Sequence, residues 1–290
     1  MDAPDIDWER IGNVVLGEGG TVRAAGFGGA WLTGPGTYGP PPDLDAARAT
    51  IRRAATAGVQ LFDTADCYGP DVSERLIAEA LHPYPDGVVI STKGGRHALG
   101  GNRWRADGRP EHLRAACVGS LRRLRLETVD LYQLNAVDPQ VPIEESLGAL
   151  VELRGEGKIR NIGVCNVDPA ELERARSVTP IASVQDRYDI LTRENDAVLD
   201  ACDRDGIAFL PWFPPAPLEP EPGSALATIA GDRGADPTQV GLAWLVARAP
   251  VTVPLPGTPD PAVYERTLAG LGIELEPDEI RSLSAAAGRS

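Results

Sequence analysis

The chain reads as an α/β protein, a single (β/α)8 barrel, on three observations. Short apolar runs alternate with longer helical patterns eight times along the 290 residues. The strand runs are apolar throughout rather than alternating, as strands covered on both faces must be. No shift of composition interrupts the alternation, so residues 1–290 are expected to form one unit of the size such barrels have.

The elements follow in order. Residues 14–25 read as a small N-terminal hairpin closing the barrel bottom, with GEGG (17–20) as its turn. AAGFG (24–28) precedes a helix over 43–57, where Leu44, Ala47, Ile51, Ala54 and Ala55 recur at helical spacing. VQLFDTA (59–65) precedes a helix near 73–81. GVVISTK (87–93) leads through a long polar, Gly-rich loop to a helix near 111–124. TVDLYQL (128–134) precedes 143–156, NIGVCNV (161–167) precedes 169–176, and IASVQ (181–185) precedes 194–205. IAFLPW (207–212) precedes helices between 226 and 247, with the proline-rich FPPAPLEPEPG (213–223) as a surface loop inside that unit. VTVPL (251–255) and a helix over 261–271 complete the eighth unit, and an extra C-terminal helix starts near Pro277.

Composition removes several function classes. With 28 basic and 42 acidic residues the formal net charge is −14, and no run of Lys or Arg makes a local exception. Such a surface repels nucleic-acid phosphates and anionic lipids, so neither partner is expected. No stretch reaches the roughly 18 apolar residues of a membrane span, and Asp2, Asp5 and Asp7 replace a basic signal-peptide start. A cytoplasmic protein is expected. Cys67, Cys117, Cys165 and Cys202 form no CxxC pair and find no His at ligand spacing, so reduced, buried thiols and no metal site are expected. Monomer and small homo-oligomer remain equally open.

Chemistry in such a barrel sits at the C-terminal strand ends and the loops that follow. Collecting polar residues there yields Asp63 and Tyr68 from the second unit, Lys93 from the third, Asn135 from the fourth, Asn166 from the fifth, Gln185 from the sixth and Trp212 from the seventh. A phenol near pKa 10 is a poor acid at neutral pH unless a neighbour shifts it. An adjacent ammonium is expected to lower that pKa, with a carboxylate holding the ammonium in place. Only two residues of the chain are Lys, at 93 and 158, which singles out Lys93 where Arg serves elsewhere.

Taken one at a time these residues have structural uses. Asp63 suits an inward salt bridge, Asp66 a turn cap, Tyr68 simple packing and Lys93 a solvated strand end. Their joint spacing favours function for Asp63, Tyr68 and Lys93. Asn135 serves equally as carbonyl donor or loop-ordering amide, and Asn166 and Gln185 as ligand contacts or partners for barrel-mouth backbone. Trp31 and Trp104 fit a substrate pocket or ordinary packing. His82, His97 and His112 show no pairing pattern, Cys67 reads as a packed thiol, and GFGGAW (26–31) does not complete a dinucleotide fingerprint.

FDTADCYG (62–69), the strand-end Lys93, DLYQLN (130–135), GKIRNIGVCN (157–166), SVQDRYDIL (183–191) and VPLPGT (253–258) together resemble the aldo-keto reductases, in order and across nearly the whole chain. Within that family TGPGTYGPPPD (33–43), EALHPYPD (79–86) and Asn135 are most similar to the bacterial pyridoxal reductases. The resemblance implies a barrel that binds an extended nicotinamide nucleotide without a Rossmann domain. It implies Tyr68 as general acid tuned by Lys93 and Asp63, with Asn135 standing where most of the family has His. An amide there can still polarise a carbonyl.

The resemblance further implies that Asn166 and Gln185 hold the carboxamide and that Trp212 stacks on the pyridine ring. Gly257 and Thr258 would offer backbone groups to the adenosine phosphate at the start of a helix. NADPH is the expected cofactor. NADH is the alternative, because Asp260 would repel a 2′-phosphate and only Arg266 would offset it. The expected reaction is reduction of a small aldehyde or ketone, pyridoxal to pyridoxine foremost. A ketoreductase of keto-sugars or biosynthetic intermediates, and a cofactor-binding sensor with negligible turnover, are the alternatives. A glycosidase is disfavoured, since Asp63 and Asp66 share one loop and cannot flank a sugar.

Overall fold

The computed structural model describes residues 6–18, 20–101, 103–212 and 218–286. A short helix α1 (Trp8–Ile11) leads into the antiparallel hairpin β1 (Asn13–Val15) and β2 (Thr21–Arg23), paired Asn13↔Arg23 through Val15↔Thr21. The barrel follows with β3 (Phe27–Gly28), α2 (Leu44–Thr56), β4 (Leu61–Asp63), α3 (Val72–Leu81) and β5 (Val89–Gly94). Next come β6 (Arg96–Gly100), β7 (Arg103–Ala106), α4 (Pro110–Leu124), β8 (Val129–Leu134), α5 (Ile143–Gly155), β9 (Ile159–Cys165) and α6 (Pro169–Val178). β10 (Ser183–Gln185), α7 (Asp196–Asp205), β11 (Ala208–Phe209), α8 (Ala225–Arg233), α9 (Pro237–Arg248), α10 (Pro261–Leu268) and α11 (Pro277–Ala286) complete the chain.

β3, β4, β5, β8, β9, β10 and β11 form one parallel sheet in that spatial order. The eighth segment closes it without becoming a regular strand. Phe209 donates to the carbonyl of Val251, Val253 to that of Phe209, and Leu255 to that of Pro211. On the other side Gly26 and Gly28 donate to the carbonyls of Pro254 and Pro256. Proline has no N–H to return, so VTVPL, expected as a strand, is held to β3 by its carbonyls alone.

Helix ends follow from their residues. Asp43 accepts from the Ala46 N–H, while Asp168 and Asp236 form capping boxes with Glu171 and Gln239. Gly206 and Gly234 take the left-handed conformation that ends α7 and α8. The outer faces of the strands and the inner faces of the helices form the main apolar cores, around Tyr132, Leu150 and Trp244 on one side and Phe27, Ile51 and Phe62 on the other. A third cluster fills the barrel itself. Val14, Leu16 and Val22 of the hairpin pack there on Leu61, Leu131, Ala208 and Val253. The hairpin therefore plugs the bottom, as expected.

Two expectations need correction or restriction. The loop after Lys93 is largely an antiparallel hairpin, β6–β7, paired Arg96↔Ala106, His97↔Arg105 and Ala98↔Trp104. Its polar, Arg-rich strands hide the alternation that marks a sheet. Of the proline-rich stretch, residues 213–217 lie outside the described residues, as does position 19 of the GEGG turn.

The seam tolerates no side chain. A Cβ on Gly28 would stand 2.6 Å from the Leu255 carbonyl oxygen, and one on Gly257 would fall on the carbonyl oxygen of Gly28. Gly257→Ala should therefore lower stability by about 2 kcal/mol or more, because the clash is with backbone that cannot rotate away. Urea unfolding checks this; a midpoint equal to wild type would show that the seam yields.

Candidate active site

Strand register assembles the central cluster. Asp63 of β4 lies opposite Ser91 of β5, and Lys93 lies opposite Gln133 of β8. Alternate residues of a strand share a face, so Ser91 and Lys93 both turn into the barrel. The Lys93 ammonium donates to Asp63 Oδ2 at 2.6 Å and to the Thr64 carbonyl at 2.7 Å. Asp63 Oδ1 accepts from Ser91 Oγ at 2.7 Å and from Gln133 Nε2 at 3.1 Å. Lys93 has no exposed surface.

Tyr68 closes this cluster toward the cavity. Its hydroxyl accepts a long contact from Lys93 Nζ at 3.5 Å, and Trp104 meets its ring edge to face with centroids 6.3 Å apart. Burial pushes the Tyr68 phenol up to about 12, against the opposing pull of the Lys93 charge. The ammonium lowers this pKa as expected, but desolvation of the phenolate outweighs it and the net shift is upward. Burial also disfavours the Lys93 ammonium, but Asp63 and Tyr68 more than offset that and hold it charged. At neutral pH the pair presents a protonated phenol backed by a cation.

The remaining candidates divide into two groups. Trp31, Asp63, Tyr68, Trp104, Asn135, Asn166, Gln185 and Trp212 all line one cavity of about 380 Å³ at the barrel mouth. Asn135 Nδ2 faces Cys67 Sγ at 3.4 Å, and Asn166 Nδ2 donates to the Asn135 carbonyl at 2.9 Å. Gln185 Nε2 is buried with no partner among the described residues. Gly257, Thr258 and Arg266 do not line this cavity. Gly257 packs on the seam described above, while Thr258 Oγ1 accepts from the Asp260 N–H at 3.2 Å. Asp260 caps α10, accepting from Ala262 N at 2.8 Å and Val263 N at 3.3 Å. The N–H groups of Ala262 and Val263 at the start of that helix are thus already satisfied by a carboxylate.

Arg96 and Arg187 also line the cavity and were missed. A signal existed, since Arg187 follows Gln185 at the spacing that keeps one strand face. Asp66 Oδ1 is buried without a partner among the described residues, close to the Glu74–Arg123 ion pair that Thr92 also joins at 2.6 Å from Glu74 Oε1. Burial, helped by the Glu74 charge and opposed by Arg123, lifts its carboxyl to about 8. All four cysteines are free and buried, and burial raises each thiol.

The Aldo/keto reductase family model matches residues 25–287. Pyridoxine 4-dehydrogenase of Escherichia coli is 37% identical over 269 residues, 91% of this chain and 94% of that protein. A thermostable aldo-keto reductase solved with the inhibitor epalrestat superposes with a TM-score of 0.81 at 27% identity, covering 94% of this chain and 98% of its own. An aldo-keto reductase from Klebsiella pneumoniae solved with NADPH gives 0.78 at 25% identity, over 95% of both chains. The chain belongs to the aldo/keto reductase family. It is an oxidoreductase built on that family's barrel.

Asp66 makes stability depend on pH with a definite sign. The unfolded carboxyl titrates near 4 and the folded one near 8, so between these values the folded state holds the extra proton. Stability should fall as pH rises from about 4 to about 8. Asp66→Asn should flatten that decline in urea unfolding at pH 5 and pH 8, and an unchanged slope would contradict the assignment.

Proposed function

We propose that the chain reduces a small aldehyde or ketone using NADPH, with pyridoxal the first substrate to try. The observation that carries the reading is the buried Asp63–Lys93 pair backing a protonated Tyr68 at the wall of the cavity. The residues suit a nicotinamide. Gln185 Nε2 is a donor without a partner, matching a carboxamide oxygen, and Trp212 beside it offers a flat apolar face. When bound, the nicotinamide supplies a hydride to the carbonyl carbon.

The chain's own residues do the rest. Tyr68 gives its proton to the carbonyl oxygen as the alcohol forms, and Lys93 steadies the phenolate left behind. Asn135 turns its amide from Cys67 to the same oxygen, where negative charge develops. Asn166 and Gln185 hold the carboxamide, and Trp31 and Trp104 wall the substrate. Gly257 and Thr258 would offer backbone groups to the adenosine phosphate, with Arg266 the basic group for the 2′-phosphate. The Klebsiella relative solved with NADPH and the E. coli pyridoxine 4-dehydrogenase support this choice of cofactor and substrate.

NADPH oxidation with pyridoxal, simple aldehydes and keto-sugars tests the reading directly. Turnover of keto-sugars alone would move the substrate to that class. Stopped-flow mixing that shows no substrate-dependent oxidation of bound NADPH by any of them would favour a sensor, the reading that Asn135 in place of His suggests. Tyr68→Phe should cut kcat by about 10²-fold or more with the tryptophan quenching by NADPH unchanged. Wild-type rates in that variant would remove Tyr68 from the chemistry. Arg266→Ala should raise KM for NADPH while leaving KM for NADH unchanged; equal effects on both would take the 2′-phosphate away from Arg266.

A further inference from the structure

A second cluster of ligating side chains sits beside the cavity, at the foot of the β6–β7 hairpin. His97 of β6, Asp107 just after β7 and His112 in the first turn of α4 bring one ligand atom each to within 4.8 Å of one another. His97 Nε2 is 2.9 Å from Asp107 Oδ2, and His112 Nδ1 is 3.9 Å from the same oxygen. The imidazole rings lie with centroids 4.4 Å apart and planes tilted by 44°. Three ligands bound at ~2.0–2.1 Å in tetrahedral geometry stand roughly 3.3 Å from one another, which these separations bracket.

Two further observations distinguish the cluster from an ordinary hydrogen-bonded histidine. Neither nitrogen of His112 makes a hydrogen bond among the described residues, and its Nε2 is buried. His112 is partly exposed, but its buried, unpartnered Nε2 is an unexplained polar atom. In addition, His97 and His112 line a separate cleft of about 300 Å³, which gives an ion and its water a way in. Two imidazoles and one carboxylate match a borderline divalent transition metal, zinc above all, and not a hard cation such as magnesium.

Nearby cations oppose occupancy: Arg105 acts on His112, Arg96 and Arg123 line the cleft, and Arg109 contacts a ligand directly. Arg109 grips Asp107 with both arms, Nε to Oδ1 at 2.8 Å and Nη2 to Oδ2 at 2.7 Å. Its guanidinium takes a lone pair the metal needs and repels a dication. The side chain is more than half exposed and already reaches Glu111 Oε1 at 3.2 Å, so it has another partner when it releases Oδ2.

We propose that His97, Asp107 and His112 form a site for one zinc-class ion, from which Arg109 is a built-in competitor. The site is outside the redox centre, but not remote from it. The same hairpin carries Trp104, which packs on Tyr68, and Arg96, which lines the cavity. An ion here ties the hairpin to α4.

Tag-free protein stripped with chelator and titrated with Co²⁺ tests this through the visible d–d band, with Zn²⁺ competing. Wild type should bind one equivalent in a form that Zn²⁺ displaces. His97→Ala and His112→Ala should each weaken binding by about tenfold or more. Arg109→Ala should bind at least about fivefold tighter, a gain that misfolding does not produce. No saturable binding in wild type and Arg109→Ala alike, or binding indifferent to both histidine variants, would overturn the site. Unchanged or weaker binding in Arg109→Ala would overturn the competition.

Discussion

The ion pair between Asp63 and Lys93 is the constraint on which the barrel mouth is built. Taking both charges out of water costs several kcal/mol each, and mutual attraction repays that only when the remaining donors and acceptors are filled. Here they are: Ser91, Gln133 and the Thr64 carbonyl complete the set. Those partners come from β4, β5 and β8, so the network locks the register of three adjacent strands. It also leaves the third ammonium proton aimed at Tyr68, whose hydroxyl group belongs to the cavity wall.

The two ends of the barrel are sealed by opposite means. At the bottom, Val14, Leu16 and Val22 enter as an apolar plug that needs no polar satisfaction. At the mouth, Gln185 Nε2 is left without a partner among the described residues while lining the cavity. Unfilled hydrogen-bonding capacity is destabilising in a folded chain, so an unpaired donor in a cavity wall suits a ligand that completes it. Stability is thus invested at the foot and reactivity at the rim, as parallel barrels allow.

Much of this was legible from the residues. The helices show a 3.6 period and end in recognisable caps such as Asp43, Asp168 and Gly206. The strand-end residues gave six of the cavity's lining groups, because a parallel barrel sends successive strand ends to one place. What escaped depended on distances in space. The phenol of Tyr68 is raised rather than lowered because burial is a property of the packed mouth, which spacing along the chain does not encode. The β6–β7 hairpin was read as loop because its strands are polar, and with it went the encounter of His97, Asp107 and His112. The helix cap by Asp260 was visible as a charge and not as a hydrogen-bond acceptor that uses up the helix's N–H groups.

The four buried thiols have a practical consequence. Burial holds each as the unreactive S–H form, so alkylating reagents should find no native target in the folded enzyme. A single new cysteine at Leu99, exposed on the hairpin tip, would therefore take a spin or fluorescent label alone. The native chain is in this sense already a cysteine-silent background, in which the movement of one rim element can be followed without removing any residue from its interior.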